Sequence, residues 1–338
     1  VNEDNSQTAL LWMLKLGFYK DEAMRDAAVD LLVKNIQNVG QPAGSSRHQY
    51  GANTLSVGFL GSNVITPVLS DAGQSAVSYD LLLQDTLPSW LQSVKAGATT
   101  IWERWNSYDP EKGFGDVEMN SFNHYSYGSI AEWMYKYMAG IAADPDAPGF
   151  RHVVLQPVPD TGAQYNDQPR IDRAEGAYVS YYGRIASEWK AQKGELQNYR
   201  AAVPANSSAT LYLPVTGEPA VGALPAGVRF TGFGEHNGVH TAVFELSSGG
   251  FEFVVDGGGI SVSLAEGYVV GKAVLKGDVN GDGKITVTDV MAECRILARK
   301  SVGIAPSPEE VERGDLTGEG NITVTDVMGI CKIIADKD

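Results

Sequence analysis

Twice in the last 61 residues, oxygen-bearing side chains recur at a spacing that suits a hard cation. Asp278, Asn280, Asp282, Thr286 and Asp289 stand at positions 1, 3, 5, 9 and 12 of a loop, with Gly283 at position 6 for the sharp turn. Lys284 takes position 7, where the donor is the main-chain carbonyl. The pattern returns 37 residues later as Asp315, Thr317, Glu319, Asn321, Thr323 and Asp326, with Gly320 at the turn. Calcium takes about six to eight oxygen ligands, so each copy is expected to hold one ion, two in all, in a structural role. Thr317 and Glu319 replace the usual Asp or Asn, which predicts weaker binding at the second site.

A second constellation suits sugar chemistry. Glu103 lies between Trp102 and Trp105, and His124 follows in an Asn-His-Tyr segment. Apolar neighbours can move a carboxylate's pKa, and glycoside hydrolysis needs two carboxyl groups across the scissile bond. Tryptophan faces also stack on the C–H faces of sugars, so Trp102 and Trp105 either wall a pocket or pack a core. A salt bridge from Glu103 to Arg104 is the structural alternative. Asn120 and Asn123 suit loop-holding better than sugar binding, and Glu111, Asp116 and Glu118 read as loop charges.

The elements that must position these groups change character along the chain. Residues 7–17, 21–38, 74–86 and 127–141 carry apolar residues at helical spacing, such as Ala23, Ala27 and Leu31, and Gly40 and Pro42 act as stop signals. From Val153 the period becomes two, in runs such as 153–158, 177–191, 208–215, 240–247 and 251–256, which predicts an antiparallel sandwich of about seven strands. Ile185, Ser187 and Trp189 should share one face of their strand. Residues 276–338 contain no Phe, Trp or Tyr, whereas residues 99–140 contain ten, so the tail is a separate unit. Each calcium loop runs into a helix whose apolar stripe is predicted to be Val290, Cys294 and Leu297, or Val327, Cys331 and Ile334. Both cysteines are therefore expected to be small core residues, with a disulfide between them the lesser alternative.

The net charge of −15 argues against a nucleic-acid partner and suits an extracellular surface. No apolar run reaches the roughly 20 residues a membrane helix needs. The sequence opens on Val1 without an initiator Met or signal peptide, which suggests a beginning lost to processing or truncation.

The duplicated loop with its exit helix, VTDVMAECRILARK against VTDVMGICKIIADK, resembles a type I dockerin. That resemblance implies a secreted, extracellular, cellulosome-associated protein whose partner is the cohesin module of a scaffoldin. Candidate cohesin contacts are Val287, Thr288, Arg295 and Arg299 in the first copy and Val324, Thr325, Lys332 and Asp336 in the second. The segments GFLGSNVITPVLSDAG, LPSW, GATTIWERW and MNSFNHYSYGSIAEWMY resemble, in that order, the later part of a glycoside hydrolase family 78 α-L-rhamnosidase. The resemblance implies a partial (α/α)6 barrel over residues 1–144 and a β-sandwich over 145–266, then a linker at 267–275 and an all-α dockerin at 276–338. It further implies inverting hydrolysis of terminal α-L-rhamnosides on plant polysaccharides or glycosides. Glu103 maps onto the general base and His124 onto a substrate contact, with Trp102 and Trp105 as pocket walls. The family's general acid belongs to an earlier part of the barrel, so this chain is expected to be an inactive fragment of its parent. The rival readings are a non-catalytic carbohydrate-binding protein anchored by its dockerin, and an (α/α)6 hydrolase for another sugar.

Overall fold

The computed structural model describes residues 6–41, 44–116, 118–163, 169–265, 276–280 and 284–336. The predicted linker at 267–275 and the predicted ligand Asp282 lie outside the described residues. The chain divides into two compact units, Val1–Tyr268 and Val269–Asp338.

The first unit begins with helices α1 (Gln7–Lys15), α2 (Glu22–Ile36), α3 (Phe59–Ser62), α4 (Ile65–Asp71), α5 (Ser75–Leu83) and α6 (Trp90–Lys95). Ser6, Asp21 and Ser89 start α1, α2 and α6 by accepting from the amides of Ala9, Met24 and Gln92, a role that short oxygen-bearing side chains fill well. After a short hairpin, β1 (Tyr108–Asp109) with β2 (Gly113–Phe114), comes α7 (Ile130–Trp133), which continues as a π turn over Met134–Met138. Leu11, Leu32, Ile65, Leu69, Tyr79 and Trp133 form the centre of the helical core, all with no exposed surface. These seven helices form no closed twelve-helix barrel among the described residues. On α2 the buried stripe is Ala28, Leu32, Asn35 and Ile36, one position beyond the expected Ala27 and Leu31.

Eleven strands follow. They are β3 (Ile141–Ala143), β4 (His152–Leu155), β5 (Arg173–Ser180), β6 (Gly183–Gln192), β7 (Glu195–Val203), β8 (Ser208–Pro214), β9 (Ala220–Val221), β10 (Val228–His236), β11 (Val239–Leu246), β12 (Gly249–Asp256) and β13 (Gly259–Leu264). One sheet runs β10-β11-β8-β4-β3 and the other β5-β6-β7-β12-β13-β9. The β4–β8 and β13–β9 pairs are parallel and the rest antiparallel, so the sandwich has more strands than expected and is not wholly antiparallel. The run 177–191, expected as one strand, is a hairpin that turns at Tyr181 and Tyr182 before Gly183, whose φ of +122° disfavours a side chain. Ile185, Ser187 and Trp189 do share the buried face, each fully enclosed.

Polar ties fix the sandwich to the helices. Trp189 Nε1 donates to the Met138 carbonyl at 2.6 Å, and Tyr79 Oη to that of Val158 at 2.7 Å. Arg170 bridges Asp80 of α5 and Asp160, both within salt-bridge reach.

The second unit holds α8 (Val287–Ser301), α9 (Pro308–Gly314) and α10 (Val324–Ala335). Val279, Ile285, Ile296, Ile322 and Ile330 make its small core. Cys294 and Cys331 are exposed and unbonded, which corrects the expectation of core cysteines. The buried positions of α8 are Asp289, Glu293 and Ile296, one residue before the predicted stripe, while Val290 and Leu297 pack only at the core's edge.

Candidate functional site

Glu103 sits in a loop held by a second loop that follows it in the chain. Its amide donates to the Ser121 carbonyl at 2.9 Å, and the Ser121 amide donates to Glu103 Oε2 at 2.7 Å. His124 N to the Ile101 carbonyl at 2.9 Å, and the Thr100 hydroxyl to the Phe122 carbonyl, extend this strand-like pairing. One carboxylate oxygen is thus fixed by an amide while the other has no protein hydrogen bond among the described residues. The half-buried Arg104 pairs with Asp116 at 3.7 Å rather than with Glu103, so Asp116 is the partner of that cation and not a bare loop charge.

The pairing brings His124 to the same edge. Phe59 of α3 stacks on its ring with centroids 4.5 Å apart and an interplanar angle of 16°, and the Tyr125 ring lies near-parallel to it at 5.5 Å and 5°. The Ser126 amide donates to His124 Nδ1 at 3.4 Å, so the neutral ring carries its proton on Nε2. Phe59 is 41% exposed and Tyr125 87%, leaving both available to a sugar face. Sequence spacing did not single out either; Phe59 is 65 residues from His124 in the chain, and only the turn of α3 brings it there.

The two tryptophans have different places. Trp102 is buried, edge-on to Phe122 at 5.4 Å and to Tyr108 at 6.3 Å, so it packs the loop from behind. Trp105 stacks on Tyr127 at 3.7 Å and donates from Nε1 to the Val57 carbonyl at 2.9 Å, anchoring the loop to the chain before α3. Trp90 of α6 completes the anchor by donating to the Tyr127 carbonyl. Asn120 holds the hairpin by donating to the Ser107 carbonyl at 2.9 Å, the loop role expected of it. The cavity beside this cluster, lined by Trp90, Ile101, Trp102 and Trp105, measures about 20 Å³, room for about one water. A cavity of about 610 Å³ between Lys193, Glu195, Glu218 and Asp256 lies in the sandwich and is distant in sequence from Glu103.

In the second unit the loop residues converge as follows. Asp315 accepts from the amides of Gly318, Glu319 and Gly320, and Gly320 takes a φ of +77° at the turn. Asp326 accepts from Thr317 N at 3.0 Å and Thr323 N at 2.8 Å. Burial pushes both acids upward in pKa, but the amides of Gly320, Gly318 and Glu319 on Asp315, and of Thr323 and Thr317 on Asp326, outweigh it and hold both below the ordinary carboxylate range. Asp289 likewise accepts from Asn280 N at 3.1 Å and Thr286 N at 2.9 Å. Thr286 and Thr323 are the N-caps of α8 and α10, with Asp289 and Asp326 closing the capping boxes. Asp278 is buried, Lys284 and Glu319 are exposed, and Asn321 Oδ1 accepts from Lys300 Nζ at 2.7 Å.

Among the described residues no three acidic, histidine or cysteine side chains already converge on one point, with Asp282 outside that set. The donor set still fits a hard cation. It is all oxygen, and Asp289, Asp315 and Asp326 are buried without an ion-pair partner among the described residues. A carboxylate has about four lone-pair sites, so amide contacts do not exhaust it. Sequence reasoning missed Glu293, which is fully buried with neither carboxylate oxygen hydrogen-bonded among the described residues. Burial, and then the charges of Asp326 and Asp289, raise its pKa to about 7.

The candidate cohesin contacts Val287, Thr288, Arg295, Arg299, Val324, Thr325, Lys332 and Asp336 are all exposed. Arg299 is engaged by Glu310, and Thr288 accepts from Asn280 at 2.9 Å. Met291 and Met328, one turn beyond Val287 and Val324, are 53% and 67% exposed and extend the same apolar edge, which the sequence reading left out.

The comparisons with known proteins agree in order along the chain. Residues 2–138 match the family model of the bacterial alpha-L-rhamnosidase 6 hairpin glycosidase domain, residues 140–223 that of the bacterial alpha-L-rhamnosidase C-terminal domain, and residues 276–335 that of the dockerin type I domain. An alpha-L-rhamnosidase of Streptomyces avermitilis is 37% identical over 252 residues, which cover 74% of this chain and 22% of that protein. One from Formosa agariphila is 35% identical over 209 residues, covering 62% and 20%. The crystal structure of Streptomyces avermitilis alpha-L-rhamnosidase complexed with L-rhamnose matches with a TM-score of 0.59 at 35% identity, over 75% of this chain and 22% of that one. The chain therefore spans about a fifth of the length of these relatives. Residues 2–138 and 140–223 belong to the bacterial α-L-rhamnosidases, and residues 276–335 to the type I dockerins.

Proposed function

We propose that the whole protein is a secreted, cellulosome-associated α-L-rhamnosidase that inverts configuration, with Glu103 as its general base. The observation that carries this reading is the Glu103 carboxylate itself, with one oxygen fixed by the Ser121 amide and the other free for a water proton. The amide orients the group without discharging it, which a base needs. Water deprotonated there would attack the anomeric carbon of a terminal rhamnosyl unit while an acid protonates the leaving oxygen. In an inverting site the two carboxyls stand about 6.5–9.5 Å apart, which leaves room for that water.

The acid is assigned to an earlier segment of the whole protein, consistent with relatives of which the matched part makes up only about a fifth. His124 would donate from Nε2 to a sugar hydroxyl, with Phe59 and Tyr125 holding its ring. Trp105 lies at the pocket's edge, and Trp102 supports the loop from behind. The natural substrates would be rhamnose-bearing plant polysaccharides or glycosides.

The dockerin would bind two calcium ions through its loops and dock a scaffoldin cohesin through the Val287–Met291 and Val324–Met328 edges and the polar residues beside them. Bound calcium supplies positive charge that gathers the loop carboxylates, and it takes no part in hydrolysis.

The test is rhamnose release from an aryl α-L-rhamnoside by this chain and by the whole protein. Activity confined to the whole protein is expected. Activity in the 338-residue chain would place the acid within it and overturn that assignment. Inactivity of both would favour a non-catalytic carbohydrate-binding role or a different sugar.

A further inference from the structure

The duplicated loops and helices of the second unit allow each position to be compared with its counterpart 37 residues on. Glu293 of α8 corresponds to Ile330 of α10, and both side chains are fully buried. Ile330 is an ordinary core residue, so the packing at this place is satisfied by an aliphatic side chain. Glu293 brings a carboxylate to the equivalent spot, and neither oxygen has a hydrogen-bond partner among the described residues. Its Oε1 lies against Gly314, where an added Cβ would come within 3.0 Å, so the group faces the start of the second loop. The charges of Asp326 and Asp289, the closing acids of both loops, act on it.

The basic side chains of this unit that make described contacts are engaged elsewhere. Arg299 pairs with Glu310, Lys300 donates to Asn321 Oδ1 and the Ile322 carbonyl, and Lys276 donates to the Asp315 carbonyl. A buried unpaired carboxylate among like charges destabilises the fold that encloses it. Divalent cations in the two loops offset most of that field.

Resting on the calcium reading given above, we propose that Glu293 makes the packing of α8 against α10 depend on calcium. Its carboxylate opposes closure of the helix pair around empty loops and opposes it less around loaded ones. An apolar residue there, as at Ile330, would give a helix pair that closes with less regard to calcium. The inference concerns how strongly the metal and the fold are coupled, which the presence of two loops does not itself determine.

The test is hydrogen–deuterium exchange of the full chain, followed in peptides from α8 and α10, in calcium chloride and in chelator. The variants are Glu293→Ile, which copies the second repeat, and Glu293→Gln, which keeps the shape and removes the charge. In the unaltered chain calcium should slow exchange in both helices. In both variants exchange in chelator should slow by about tenfold, the scale of relieving one buried unpaired polar group. Exchange with calcium should slow less, so the calcium-to-chelator ratio contracts. A ratio unchanged or widened in the variants would overturn the role of Glu293 while leaving the calcium loops standing. No calcium effect in the unaltered chain would overturn the calcium reading and this inference with it. Should Glu293→Ile exchange fully in both buffers, Glu293→Gln decides, because it introduces no change of shape.

Discussion

Replacing Arg170 with Met would test what joins the helices to the sandwich. The guanidinium pairs with Asp80 at 2.5 Å and also with Asp160, whose side chain is fully buried, while Arg170 and Asp80 are each 16% exposed. Methionine keeps much of the aliphatic stem and removes the charge, leaving two carboxylates enclosed together. Breaking a buried pair in this way costs about 3–5 kcal/mol. The low end applies, because Asp160 keeps the amides of Gly162 at 3.0 Å and Ile171 at 3.2 Å. Burial already raises the pKa of Asp80 against the pull of Arg170, so the pair does not carry a large surplus of attraction. A loss of about 3 kcal/mol corresponds to a roughly 150-fold shift in the unfolding equilibrium. Urea titration followed by tryptophan fluorescence reads it selectively, since all six tryptophans precede residue 190. Adding Asp80→Asn should recover part of the loss by removing one of the two enclosed charges. A loss under about 1 kcal/mol, the range of exposed ion pairs, would refute the reasoning, as would a double variant no more stable than the single one.

Glu103→Gln in the whole protein should remove at least about 99% of rhamnoside turnover, the scale of losing a general base, with the urea midpoint unmoved; a wild-type rate would reject Glu103 as base. Burial holds the pKa of His236 below its ordinary value, with Asp71 opposing and Lys136 assisting. The folded state therefore binds fewer protons than the unfolded chain, so this stability is present above about pH 6.5 and is lost as pH falls through the lower folded pKa. Tryptophan-detected unfolding midpoints should drop over that window, and His236→Gln should flatten the drop; equal slopes would remove the assignment. Chelation of calcium should raise exchange in α8 and α10 and abolish cohesin binding while tryptophan fluorescence stays unchanged; full cohesin binding in chelator would contradict this.

Helix period was readable from sequence, and helix phase was not. On α2 the pairs Ala27–Ala28 and Leu31–Leu32 satisfy two adjacent stripes equally well, and packing against the rest of the helical core selects Ala28 and Leu32. On α8 the same shift has a chemical origin. The centre of the buried stripe is occupied by Asp289 and Glu293, which hydropathy assigns to water, so the reading moved to Val290 and Cys294. Strand alternation located the face of Ile185, Ser187 and Trp189 correctly because one side of β6 is wholly enclosed. It did not show the turn at Tyr181–Tyr182, since two tyrosines carry strand propensity into a reversal fixed by Gly183.

The candidate site shows where residue type stops being informative. Trp102 and Trp105 are the same residue three positions apart in one motif, and the Glu103–Ser121 pairing sends one behind the loop and the other toward Tyr127. Only a contact between segments 18 residues apart separates those roles, and local spacing contains no trace of it. Phe59 is the complementary case, an unremarked aromatic that supports His124 because α3 brings it there. A carboxylate held by one backbone amide, an imidazole near-parallel to two neighbouring rings and a cavity of about 20 Å³ make a preorganised edge and not an enclosed pocket. Binding a pyranose would bury far more surface than that edge supplies, so under the proposed reading catalysis would need walls as well as an acid in addition to this edge. Loss of activity in this chain would then have two separable causes. A pocket without its walls fails to bind rhamnose at all, whereas a complete pocket lacking only its acid would still bind it.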